Sequence, residues 1–369
     1  MGKPNYDVVV IGGGIAGVAS ALSAVREKKS VLLVEANYAL GGLATLGMVV
    51  YYLPLDDGSG RQIAAGIAEE LLRLSVRYDR KHPLANDWKE EGKRFESEFN
   101  PSLFSLLLEE KLISEGVDIL FGTSLIGVKK EGSFISSIEL STRSSRFSLE
   151  AKTFIDATGD ANLCAYAGEK TSLSTCKNAL AYWHFENNAL VMNEGFSLQK
   201  GLQYDYQGLS PFETSAFVKA SHKAILGDFL SQGDEEEGHS LTRIPSIPEL
   251  RMTRKLEGKY KLSLKDNGLF KKDSVGVFPS WVKKGDAFEL PYGALIGTTK
   301  NLYVAGRNIS SEDDRMWNVV RSIPVCAVSG EAAGLLAATF ANNEDIDIED
   351  VHRKMDARGL FYHLKDVKY

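Results

Sequence analysis

Cysteine is scarce in this 369-residue chain: Cys164, Cys176 and Cys326 are the only three. No two of them form a Cys-x-x-Cys pair, and the number is odd. This argues against a disulfide framework and a redox-active dithiol, and it fits a reducing, cytoplasmic setting. A strong excess of either charge is also missing. Lysine and arginine number 43 against 49 acidic residues, a net charge of −6. That balance gives no general attraction to nucleic acid or to an anionic membrane. Long apolar runs are broken. Val8–Val25 is interrupted by three consecutive glycines and closed by Arg26, whereas a membrane span needs about 20 apolar residues. The first strand-like run starts so early that a cleavable signal segment has no room. No His, Cys or spaced carboxylate set has metal-ligand geometry. The acidic run Asp234–Glu237 reads as a solvated loop, since adjacent carboxylates coordinate poorly.

What the chain does have is glycine at informative places. Gly12-Gly13-Gly14-Ile15-Ala16-Gly17 follows the apolar run Tyr6–Ile11 and opens Ile15–Arg26, which reads as a helix. In the spacing Gly12-x-Gly14-x-x-Gly17, one glycine serves the tight turn. A second lets backbone approach a pyrophosphate, and a third lets helix pack on strand. The helix N-terminus adds free N–H groups and the positive end of its dipole. Val31–Val34 is the next strand, and Glu35 closes it where a carboxylate can accept hydrogen bonds from an adenosine ribose. The competing reading is an ordinary strand–helix turn that binds nothing. The length of the chain suggests about two domains, and 44% hydrophobic residues suit a sizeable core.

A second glycine pair, Gly41-Gly42, stands just behind Glu35. Here the chain resembles the FAD-binding fold of glutathione-reductase-like flavoproteins, in which such a pair precedes a stretch running along the flavin. Phe154-Ile155-Asp156-Ala157-Thr158-Gly159-Asp160 resembles a second signature of that fold. Five further segments resemble the narrower FAD-dependent oxidoreductase family: Arg251–Tyr260 with Leu262 and Asp266, Pro291–Leu295, Asn301–Ser310, Val320–Val325 and Gly330–Gly334. Gly306-Arg307, where the wider fold often has Gly-Asp, also fits the narrower family. The resemblance runs along nearly the whole chain in order. It implies non-covalent FAD held by Gly12, Gly14, Ile15, Ala16 and Gly17, by Glu35 and Ala36, and by Gly42, Leu43, Ala44 and Thr45. Leu125 is implied as a backbone contact to adenine. Ala157, Thr158 and Gly159 follow, then Gly306 and Arg307, then Ser322, Ile323 and Val325. The last three open a helix over Ser322–Phe340 whose N-terminus is implied to point at the flavin pyrimidine. There it would favour negative charge on reduced flavin.

The expected fold is α/β, a Rossmann-like FAD-binding domain with a parallel sheet and an antiparallel meander, plus an inserted α+β substrate domain. Residues 1–46, 99–167 and 291–369 would build the FAD domain. Residues 168–290 would be the inserted cap, and 47–98 a connection near the flavin. Expected local features include a helix over Gln62–Leu74, a helix N-capped by Asn100 with Pro101 first, and a strand over Ala179–Glu186. A meander is expected over Leu125–Lys129, Ile135–Leu140 and Phe147–Ala151, and a helix over Ser215–Leu230. Asp160 reads as an N-cap. The tyrosines Tyr51 and Tyr52 suit either core packing or a cavity wall.

Flavin carries its own redox chemistry, so no nucleophile or triad is required. Arg251 and Arg254, spaced as one helical turn, are candidates to clamp a substrate carboxylate. Salt bridges between domains are the alternative. His184 and His239 are candidate acid–base groups, or else ordinary core or surface histidines. Arg307, Asp313, Asp314 and Arg321 cluster near the third motif, for ion pairing or for substrate. No second dinucleotide fingerprint exists, so a separate NAD(P) domain is not expected. The function implied is hydride transfer between a small organic substrate and FAD, with the electron partner left open. The alternatives are a flavin- and folate-dependent tRNA-modifying enzyme, disfavoured by the negative charge, and an FAD-binding protein without turnover.

Overall fold

A computed structural model describes residues 5–90, 92–192, 206–233, 238–343 and 345–367; the acidic run Asp234–Glu237 lies outside them. At the centre is a five-stranded parallel sheet in the order Leu302–Val304, Ala151–Asp156, Tyr6–Ile11, Val31–Val34, Asp118–Leu120. Its strands read as near-continuous apolar runs because both faces are covered, as parallel sheets require. Val8, Val9 and Val10 are fully buried.

Eight α-helices are described. They are α1 (Ile15–Arg26), α2 (Ile67–Val76), α3 (Pro101–Ser114), α4 (Asn162–Tyr166), α5 (Pro211–Ser231), α6 (Asp314–Val320), α7 (Ile323–Asn343) and α8 (Ile348–Ala357). α1 and α7 pack backbone to backbone. A methyl group built on Gly334 would stand 2.2 Å from the Ser20 carbonyl oxygen, and one on Gly330 2.4 Å from that of Ala16. Only glycine permits this approach. α7 is also the one described helix long and apolar enough to cross a membrane, yet nearly all of it is buried within the fold.

Several local expectations match. Asn100 accepts N–H bonds from Ser102 and Leu103, with Pro101 at the first helical position. The meander forms from Ser124–Glu131, Phe134–Ser141 and Arg146–Leu149, while Ala151 belongs to the central sheet. Others differ for identifiable reasons. α2 starts at Ile67, five residues late, because Gly66 holds a φ of 60° that no helix tolerates. The strand near residue 184 covers only His184–Glu186. Arg254–Leu256 is a strand pairing antiparallel with Thr171–Leu173, so Arg251 and Arg254 do not share a helix face. Asp160 caps nothing: α4 begins after Ala161 without a side-chain cap.

α2 also lacks a cap of its own; Glu331 of α7 supplies one, accepting the Ile67 N–H at 2.9 Å. Burial pushes the Glu331 carboxyl up to about 7, from an ordinary value of 4.5. A raised acid contributes stability below its unfolded pKa and loses it as pH rises through the folded one. Glu331→Gln keeps an acceptor for Ile67 and removes the buried charge. It is expected to raise the stability at pH 8, by at most about 3 kcal/mol, and to match the parent near pH 4.5. Thermal denaturation across that window measures it.

Candidate flavin site

The carboxyl ends of Tyr6–Ile11, Ala151–Asp156 and Leu302–Val304 open into one cavity of about 530 Å³, the usual position for ligands of open parallel sheets. Its floor is glycine. Gly14 faces open space, and Gly12 sits so close to the Ala157 carbonyl that a Cβ would come within 2.4 Å of that oxygen. Gly41 donates its N–H to the Gly13 carbonyl at 2.8 Å, laying the second glycine pair alongside the first. α1 starts here with Gly14 as N-cap and no capping side chain, so its first N–H groups point at the cavity.

The charges are sorted along its length. Glu35 stands at one end. Its carboxylate accepts the Gly13 N–H at 2.6 Å, and the Asn37 backbone N–H and side-chain amide at 2.7 Å each. A carboxylate has about four acceptor sites, which leaves room for a ligand hydroxyl. At the other end Arg251, Arg307 and Arg321 converge with Asp160 on the cavity wall, beside the first turn of α7. Arg307 donates to Asp160 Oδ1 at 2.8 Å, and its buried Nε has no hydrogen-bond partner among the described residues. Arg251 pairs with buried Glu249 at 2.7 Å and lies over the Trp183 ring. Arg321 donates to Asn318 Oδ1 at 2.8 Å. Burial, reinforced by Arg251 and Arg307, pushes the Arg321 guanidinium down to about 9. Cys326 lines the same end. Burial raises its thiol to about 11 against the pull of Arg307 and Arg321.

A family model described as FAD dependent oxidoreductase matches residues 7–179 and 177–360. The chain belongs to that family. FAD is its cofactor. A thioredoxin reductase of Ureaplasma parvum is 36% identical over 76 residues, 21% of this chain and 25% of the relative. Digeranylgeranylglycerophospholipid reductase 1 of Methanococcoides burtonii is 23% identical over 223 residues, 56% of this chain and 49% of the relative. The chain thus spans half or less of the curated relatives it matches. Among solved structures, a geranylgeranyl bacteriochlorophyll reductase-like protein of Thermoplasma acidophilum covers 99% of this chain and 86% of its own. It does so at 13% identity and a TM-score of 0.50, a likeness of fold.

The residues fit the cofactor. The glycine floor, the uncapped α1 and the spare acceptor capacity of Glu35 suit a dinucleotide, and the orphaned Arg307 Nε suits an anionic or carbonyl group. Of the residues singled out in the sequence, Gly12, Gly14, Ile15, Ala16, Glu35, Ala36, Gly42, Leu43, Ala44, Leu125, Ala157, Thr158, Gly159, Gly306, Arg307 and Ile323 line the cavity. Gly17, Thr45, Ser322 and Val325 do not. Gly17 instead packs on the Gly12 carbonyl, where a Cβ would sit 1.8 Å from the oxygen. Thr45 bonds the Leu40 carbonyl, and Val325 is fully buried in the core.

The candidate catalytic residues separate. Arg251 lines the cavity. Arg254 does not: its Nε donates to the Asp160 carbonyl and its Nη2 to Asn162 Oδ1, both at 2.8 Å. It ties its strand to the loop after Ala151–Asp156. His184 is fully buried, with Nε2 2.8 Å from Glu186 Oε1, and His239 lies 3.0 Å from the other oxygen of that carboxylate. Neither histidine lines the cavity: His184 lies on a strand of a small antiparallel sheet, and His239, on the chain just before another strand of that sheet, faces the same Glu186 carboxylate. Asp313 caps α6, and Asp314 accepts the Thr175 and Cys176 N–H groups at 2.8 Å. Sequence reasoning passed over the insert-side wall of Gly208, Thr214, Ile247, Pro248 and Leu250. Small and apolar residues carry no chemical signature, so only the fold reveals them. Arg254→Ala is expected to lower stability by about 1–3 kcal/mol through the lost charge-assisted bonds, read by thermal denaturation. An effect confined to substrate affinity would contradict the tie.

Proposed function

We propose that the protein is an oxidoreductase transferring hydride between a small organic substrate and non-covalently bound FAD, within this one cavity. When bound, FAD supplies the two-electron chemistry, and the protein supplies position, electrostatics and exclusion of water. The observation that carries this reading is the gathering of Arg251, Arg307 and Arg321 at the α7 end of a glycine-floored cavity. Against Asp160 and Glu249, three guanidiniums leave an excess of one positive charge there.

In this reading Gly12, Gly14 and the α1 N-terminus hold the phosphates, and Glu35 holds the adenosine ribose. Arg307 and the first turn of α7 face the ring, with Ile323 beside it. Fixed positive charge in a partly dry cavity stabilises negative charge that develops on reduction, without reorganising at the moment of transfer. Arg251, fixed by Glu249 and Trp183, is pre-aimed to orient an anionic substrate; Arg321 reinforces it. The stretch 168–290 acts as a cap that covers the flavin and supplies the substrate wall.

Anaerobic additions of NADH, NADPH and candidate organic acids to the FAD-loaded protein test the activity. Bleaching of the flavin by one donor and recovery by an acceptor is the expected pattern, and a flavin inert to every donor counts against it. Arg321→Gln is expected to retain FAD and to lower its two-electron midpoint potential by about 30 mV, equivalent to about 1.4 kcal/mol. An unchanged potential would remove Arg321 from this role.

A further inference from the structure

A second pocket, of about 240 Å³, lies in the insert. It is formed between one face of α5 and the chain 244–249. Phe217, Val218 and Ser221 come from the helix, and Ile244, Ile247 and Pro248 from the chain. Ile247 and Pro248 line this pocket and the flavin cavity alike, so the inner pocket begins at the wall where the outer one ends. At the far rim, Ile244 is 43% exposed and opens the pocket to solvent. The two spaces differ in chemistry. The insert pocket is walled mainly by aliphatic and aromatic carbon, whereas the adjoining part of the flavin cavity carries Arg251. Glu249 lines the insert pocket at its junction with the cavity, buried, and its carboxyl accepts from the Arg251 guanidinium and from the Trp183 backbone N–H. It fixes a cation at the cavity side of an apolar pocket.

We infer that the insert pocket is the distal half of the substrate site, and that it takes the apolar body of an amphipathic anion. The acidic group would lie against Arg251 in the flavin cavity. The hydrocarbon would pass Ile247 and Pro248 into the space under α5. A volume of 240 Å³ admits about eight water-sized groups, hence a chain or ring system of about eight carbons before the rim is reached. This inference rests on the flavin-cavity reading of the substrate site and narrows it to a substrate class: organic acids with an extended hydrocarbon part.

Straight-chain carboxylates from acetate to dodecanoate are the probes, titrated into the FAD-loaded protein below their micellar concentrations and followed by calorimetry. The dissociation constant is expected to fall about 3- to 4-fold per methylene, the value for burying a CH₂, and to level off once about eight carbons lie beyond Ile247 and Pro248. Val218→Trp fills the pocket from its partly exposed side. It should abolish the gain with chain length while acetate and butyrate bind as in the parent and FAD is retained. Ser221→Leu, which intrudes from the next turn of α5, is the second variant should Val218→Trp fail to fold. Affinity independent of chain length in the parent, chain-length gain that survives a folded filled variant, or no carboxylate binding at all would each overturn the inference. The proposed activity fails separately, in a protein that binds these acids but whose flavin no donor reduces.

Discussion

The close approach of α1 to its neighbours is the constraint on which the rest of the structure depends. Gly17 lies against the Gly12 carbonyl, and Gly330 and Gly334 of α7 lie against the carbonyls of Ala16 and Ser20. Any side chain at these positions would push α1 away from the sheet or from α7. Because none is present, one short helix is wedged between the central strand and the longest core helix. Both helix N-termini then open into the same cavity. The glycines therefore act twice: they allow the packing, and the packing aims the two positive helix ends at the cofactor space.

That geometry sets up an electrical gradient. Glu35 marks the end beside Val31–Val34, while three guanidiniums and the start of α7 mark the other. A long ligand with a neutral, hydroxyl-rich end, an anionic middle and a ring that gains negative charge on reduction matches this order. The insert completes the positive end. Arg251 comes from the insert and Arg321 from the core, and Asp160 is the joint between the two. It accepts from Arg307 and from Thr253, and its carbonyl accepts from Arg254. Residues 253–254 and Arg307 are thus tied together through the same loop that carries the second glycine motif.

The cofactor half of this architecture was legible from the chain because its signals are local. Strand, glycine turn, helix and terminal acid occur within 30 residues, and each has a stereochemical reason to be where it is. The meander and the capped α3 were legible for the same reason. Arg254 and His184 misled because charge and titratability are visible in a sequence whereas orientation is not. A three-residue spacing suggests a shared helix face, but the strand pairing with Thr171–Leu173 places Arg251 and Arg254 in different environments. Ile247 and Pro248 went unnoticed for the opposite reason: apolar residues come to line a cavity only through what the fold sets beside them.

The most direct test of the account is the absorption spectrum of the purified protein, taken before and after acid precipitation. The account predicts a bound flavin spectrum and full release of FAD into the supernatant, one per chain, since a non-covalent cofactor is held only by the folded cavity. A protein that is colourless and cannot be reconstituted with FAD would contradict it, as would flavin that stays with the precipitate.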